Sequence, residues 1–175
     1  MSKTDSPPIA DYNQQQGGAS IGARLRRLSE RIDRDANRVY ASLGLEFEQR
    51  WMGTLNQLHL NGRMSVNDIA AALGISHPSV SQTRRSLLDV GLIAEHADPD
   101  DGRRRTLALT AAGKALVARL LPVWAALDVA ALALNAEAGD LVSGLTGLDR
   151  ALNRQSLFER VSAELAAAPK RRGRS

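Results

Sequence analysis

"SVNDIAAALGISHPSVSQTRRSLLDVG" occupies residues 65–91, and its punctuation decides how the rest of the chain is read. Ser65 stands three residues before Asp68, the spacing of a capping box with Asp in the place of Glu. Ile69, Ala70 and Leu73 then supply an apolar helical face, and Gly74 stops it. Ser76 opens a second helix as its N-cap, with Pro78 in the first turn, and Gly91 closes it. Two capped helices joined by "GIS" form a helix-turn-helix.

The second helix has two unlike sides. At about 100° per residue, Val80, Thr83 and Leu87 share one side and are expected to pack inward, with Arg84 and Leu88 on its flank. The opposite side carries Pro78, Ser79, Gln82, Arg85, Ser86 and Asp89. Small hydroxyls close to the backbone, with Gln and Arg able to reach farther, suit a helix that enters a DNA major groove. Ser76, His77 and Ser79 lie where first-turn backbone N–H groups meet a phosphate.

Downstream, Leu92–His96 and Arg105–Thr110 read as two short strands around "HADPDDGRRR", residues 96–105. Three carboxylates beside three guanidiniums are poorly explained as surface salt bridges, which contribute about 0–1 kcal/mol each. A loop beside a recognition helix gives them a purpose. An arginine can enter a narrow minor groove, where negative potential concentrates, and a neighbouring carboxylate holds it ready. A solvated hairpin with no partner is the plainer alternative. His96, Asp98 and Asp100 alternate, but ion pairing explains these acids better than a metal.

Outward from this centre, residues 1–19 read as a disordered tail. Ser20 is placed as a cap for an amphipathic helix carrying Ile21, Leu25, Leu28, Ile32, Val39 and Leu43, broken at Gly44. A further helix is expected from Phe47 to Leu60, with Trp51, Leu55 and Leu58 facing inward. Thr110 caps a long helix to about Leu134, in which Pro122 should introduce a kink. A last helix is expected from Ala138 to Ala167, with Leu141, Leu145, Leu148 and Leu152 at heptad positions. The resulting fold class is mostly α with a small β-wing. Its divisions are a tail (1–19), an N-terminal dimerisation helix (20–45), a winged helix-turn-helix (46–112), C-terminal dimerisation helices (113–167) and a basic tail (168–175).

Composition narrows the function. The 175 residues include no cysteine, so disulfides, thiolate metal sites and cysteine redox sensing are excluded. The formal net charge is +4, nearly all of the positive charge being arginine, which suits bidentate contacts to phosphate. Aromatic residues make up 3%, too few for stacking platforms that hold single strands. There is no Gly-rich phosphate loop or nucleophile elbow. The chain shows no signal pattern and no run of about 18 uninterrupted apolar residues. The expectation is a cytoplasmic protein with no enzyme activity, cofactor, metal or membrane partner.

The stretch from Met64 to Gly113 resembles the multiple antibiotic resistance regulator (MarR) family of winged helix-turn-helix repressors. The likeness rests on the spacing of the two helices, on Asp101-Gly102-Arg103, and on Leu109-Thr110-Ala111-Ala112-Gly113. In order of elements it extends over residues 20–167. The resemblance implies a homodimer on double-stranded DNA, Arg103 in the minor groove and Asp101 as its orienting partner. It also implies a small anionic effector held between the dimerising and DNA-binding parts, for which Trp51, His59 and Trp124 are candidate walls. The DNA-contact candidates are Ser76, His77, Pro78, Ser79, Ser81, Gln82, Arg84, Arg85, Ser86, Asp101, Arg103 and Arg104. The family commonly has Arg where this chain has Gln82 and Ser86, and an apolar residue at Arg84, so no operator sequence carries over. A winged-helix interaction module without specific DNA binding is the alternative.

Overall fold

The architecture is that of a computed structural model, which describes residues 11–97 and 105–167. Helix α1 (Tyr12–Gln15) and a 3-10 turn (Gly17–Ser20) precede α2 (Ile21–Ser42); a second 3-10 turn (Gln49–Trp51) leads into α3 (Met52–Asn61). Then come α4 (Val66–Leu73), α5 (His77–Asp89), β1 (Ile93–Ala97), β2 (Arg105–Leu109), α6 (Ala111–Glu137), α7 (Leu141–Arg154) and α8 (Leu157–Ala167). The chain divides into two compact units, the first ending at Leu121 and the second beginning at Pro122.

In the first unit, local chemistry sets each boundary. The Ser65 hydroxyl accepts from the Asp68 N–H at 3.2 Å while the Asp68 carboxylate accepts from the Ser65 N–H, completing the box that opens α4. Gly74 closes that helix in the left-handed region, φ 62°. The Ser65 N-cap is worth about 1 kcal/mol. Ser76 caps α5 by accepting from the Ser79 N–H, with Pro78 in the first turn. The two strands pair antiparallel, Ile93 opposite Leu109 and Ala97 opposite Arg105. Met64 joins β2 from the other side, exchanging two backbone hydrogen bonds with Leu107 at 3.1 and 2.8 Å. The core is aliphatic, with Leu55, Ile69, Val80, Leu87, Leu107, Val117 and Leu120 all buried.

The joint between the strands and α6 explains the Leu-Thr-x-x-Gly pattern. The Thr110 hydroxyl donates to the Gly91 carbonyl at 2.8 Å and accepts from the Gly113 N–H at 3.1 Å. A Cβ at Gly113 would lie 2.0 Å from the Leu92 carbonyl oxygen, inside any tolerable contact. Only glycine lets α6 start so close to the turn that ends α5.

Three expectations change. Residues 12–15, placed in a disordered tail, are helical, because the Asp11 carboxylate caps them by accepting from the Asn13 N–H. Residues 1–10 and the basic tail at 168–175 lie outside the described residues. Ser20 does not cap α2: its own backbone is already helical, and its hydroxyl donates to the Gly17 carbonyl. The single last helix is two. Ser156 and Glu159 form a second capping box, the Glu159 carboxylate accepting from the Ser156 N–H at 2.7 Å and the Ser156 hydroxyl accepting from the Glu159 N–H at 3.2 Å. A new helix therefore starts where the leucine pattern had suggested continuity.

Helix α6 runs over 27 residues with Pro122 inside it. Asp128 interrupts its apolar run, yet its length and composition would suffice to cross a membrane. The second unit holds one buried side chain, Trp124, among its described residues. Helices α7 and α8 bury none.

Candidate nucleic-acid interface

Helix α5 presents the two expected sides. Val80, Thr83 and Leu87 are buried, and Ser76, His77, Pro78, Ser79, Gln82, Arg85 and Asp89 are exposed. Near its start the Ser76 and Ser79 hydroxyls lie 2.8 Å apart, and the Ser81 hydroxyl is 3.4 Å from His77 Nδ1. This end of the helix is therefore rich in exposed donors and acceptors. Arg85 makes no ion pair among the described residues.

Two of the candidate side chains face inward ties. The Arg84 Nε and Nη2 groups both donate to one carboxylate oxygen of Glu95 on β1. That hydrogen bond, with the charges of Arg84 and Arg105, holds the Glu95 carboxyl below its ordinary range despite some burial. The Ser86 hydroxyl accepts from the Trp51 indole N–H at 3.1 Å and from Arg50 Nη2 at 3.2 Å. Arg50 also donates to Glu48 at 2.6 Å. Trp51 belongs to an aromatic cluster in which Tyr40 and Phe47 meet edge-on at 4.6 Å, and Phe47 meets Trp51 at 5.9 Å. Ser86 thus ties α5 to the core. Asp101, Arg103 and Arg104 lie outside the described residues.

A helix-turn-helix with its second helix exposed, followed by a two-stranded wing, is the arrangement the comparisons identify. Residues 43–104 match a family model described as MarR family. Over that stretch the chain is similar to the MarR family. No curated protein sequence matches it. Among solved structures, a MepR–DNA complex from S. aureus superposes with a TM-score of 0.63 at 24% identity, covering 75% of this chain and 98% of that one. The transcriptional repressor CouR, bound to a 23-mer DNA duplex, gives 0.59 at 26% identity, covering 74% and 92%. A probable transcriptional regulator from Pseudomonas aeruginosa gives 0.61 at 25%, covering 78% and 98%.

Beside the wing strands lies an open cleft of about 560 Å³. Its apolar lining comes from Leu58, Ala108, Leu109, Ala118 and Leu121, and its polar lining from His59, Arg63, His96 and Lys114. Among the described residues no carboxylate lines it. Of the three candidate wall residues, only His59 is there. Trp51 is spent on the core and Ser86, and Trp124 belongs to the second unit. Sequence reading missed Arg63 and Lys114, which stand beside the Ser65 box and the Leu-Thr-x-x-Gly pattern but belong to neither. It also missed Arg50, whose relation to α5 spans 36 residues. No group of three or more metal-ligating side chains occurs among the described residues.

Proposed function

We propose that the chain is a homodimeric, sequence-specific regulator of transcription that binds double-stranded DNA. Helix α5 enters the major groove, with Ser79, Gln82 and Arg85 as base-reading groups and Ser76 and His77 at the phosphates. Arg103, oriented by Asp101, enters the minor groove, with Arg104 at the adjoining backbone. The observation that carries this reading is the exposed polar face of α5, fixed by a buried opposite face beside the wing strands. Ile21, Leu25, Leu28 and Ile32 on α2, and Leu141, Leu145 and Leu152 on α7, are exposed in one copy. A second copy is the partner that fits two such stripes, and it would set two recognition helices about 34 Å apart. The protein acts in the cytoplasm as a repressor without enzyme activity. The cleft, apolar below and cationic at Arg63 and Lys114, with the His59 and His96 rings beside them, is where an anionic effector would sit against the wing strands and shift the fit to DNA.

Fluorescence-anisotropy titration against the chain's own upstream DNA and a scrambled duplex, across a salt series, tests this. A preference of roughly a thousandfold or more is expected. Equal, steeply salt-dependent binding to both would reject it. One observation favours the interaction-module reading: Arg84 and Ser86, two of the polar groups on α5, are already engaged within the protein. Under that reading, Arg85→Ala and Arg103→Ala leave DNA affinity unchanged.

A further inference from the structure

Arg84 departs from the pattern expected of its position, and the structure gives it a specific occupation. It lies on the flank of α5 beside the buried Thr83, and Glu95 lies in the middle of β1 opposite Leu107. Between them the chain turns through Val90, Gly91 and Leu92, held by backbone hydrogen bonds from Gly91 to Leu88 and from Leu92 to Leu87 and by Thr110, which donates to the Gly91 and Leu92 carbonyls. Two guanidinium nitrogens meet one carboxylate oxygen across that turn. Both side chains are 29% exposed, so water screens them less than an ordinary surface pair. A turn fixes two elements at their shared end. A second tie farther out, joining the body of the helix to the middle of the strand, fixes the angle between them.

We infer that Arg84 and Glu95 form a brace that sets the angle between the recognition helix and the wing strands, so that Arg84 is a positioning residue and reads no base. A guanidinium paired with a carboxylate has its charge offset before any phosphate arrives, and its Nε and Nη2 edge is already engaged. Arg105, whose charge also acts on Glu95 from β2, is the second cation at this junction. The inference rests on the DNA-binding reading for its functional half, while the brace itself can be measured without DNA.

The test compares the full-length wild type with Arg84→Met, Glu95→Gln and the exchanged pair Arg84→Glu with Glu95→Arg. Hydrogen exchange of the β1 amides in the free protein is read first. Anisotropy against the specific and scrambled duplexes is read second. Both single variants are expected to lower β1 protection and specific affinity together, by roughly three- to tenfold, and the exchange is expected to restore both. A direct DNA contact by Arg84 predicts a different pattern. Arg84→Met would then weaken binding, Glu95→Gln would leave it unchanged or tighten it, and the exchange would not rescue it. That pattern overturns the inference, as does unchanged β1 protection in both single variants. If wild type itself shows no preference for the specific duplex, the DNA-binding reading fails, and the exchange data alone decide the brace.

Discussion

Residues 45–121 and residues 122–167 are both rich in leucine and alanine, and they use them in opposite ways. Among its described residues the first stretch buries fourteen hydrophobic side chains from Leu45 to Leu120. It also satisfies its polar groups within a few residues, as at Ser65 with Asp68 and at Thr110 with Gly113. The second stretch buries Trp124 and leaves Val129, Leu132, Leu141, Leu145, Phe158 and Leu165 exposed. Its helices are well capped, at Asp140 and at Ser156, but capping orders a helix without giving its apolar face anything to cover. A region that closes its own core can fold on its own account. A region that only shapes its helices depends on what it meets.

The largest effect that would break the contrast is in the closed core. Leu55 is fully buried, and Leu55→Ala should cost about 2–5 kcal/mol in denaturant unfolding, with loss of DNA binding at elevated temperature. Gly113→Ala should cost about 3 kcal/mol, because the added methyl meets a backbone carbonyl that cannot swing aside. In the open region, Leu145→Asp should leave the unfolding of the winged helix in place and halve the mass seen by sedimentation. An unchanged mass would show that the α7 stripe is not the dimer seam.

Two smaller effects sharpen the comparison. Ser156→Ala removes the box between α7 and α8 and should cost about 1 kcal/mol, seen as faster hydrogen exchange in the first turn of α8. Glu95 titrates below its ordinary value of 4.5, chiefly through its hydrogen bond from Arg84. A carboxylate depressed in the folded state stabilises above its unfolded pKa, and that contribution disappears as pH falls through the folded value. Wild type should therefore be more stable than Glu95→Gln near neutral pH, and the two should converge in strongly acidic buffer.

What sequence reading captured follows from range. The caps at Ser65, Ser76 and Thr110, and the stop at Gly74, act over three or four residues, so their spacing is visible in a line of text. The buried triplet Val80, Thr83 and Leu87 is equally local. The Arg84–Glu95 tie spans 11 residues and a change from helix to strand, and the Trp51–Ser86 bond spans 35. No periodicity reports such pairs. Ser86 and Arg84 therefore looked available on the helix surface, although folding had already assigned them. The break at Ser156 is a different failure. Its S-x-x-E signal was local and legible, but the leucine spacing that starts at Leu141 spoke louder.

The Thr110–Gly113 joint has a mechanical consequence. One hydroxyl clasps the end of one helix to the start of another, and the missing side chain removes the gap that would otherwise separate them. Such a joint has almost no backlash. A push on the first turns of α6 is passed to the Gly91–Leu92 turn, and so to the base of α5, before it can be absorbed as local rattle. A single methyl at residue 113 would act as a shim in that joint and set the recognition helix at a new rest position even where the protein still folds.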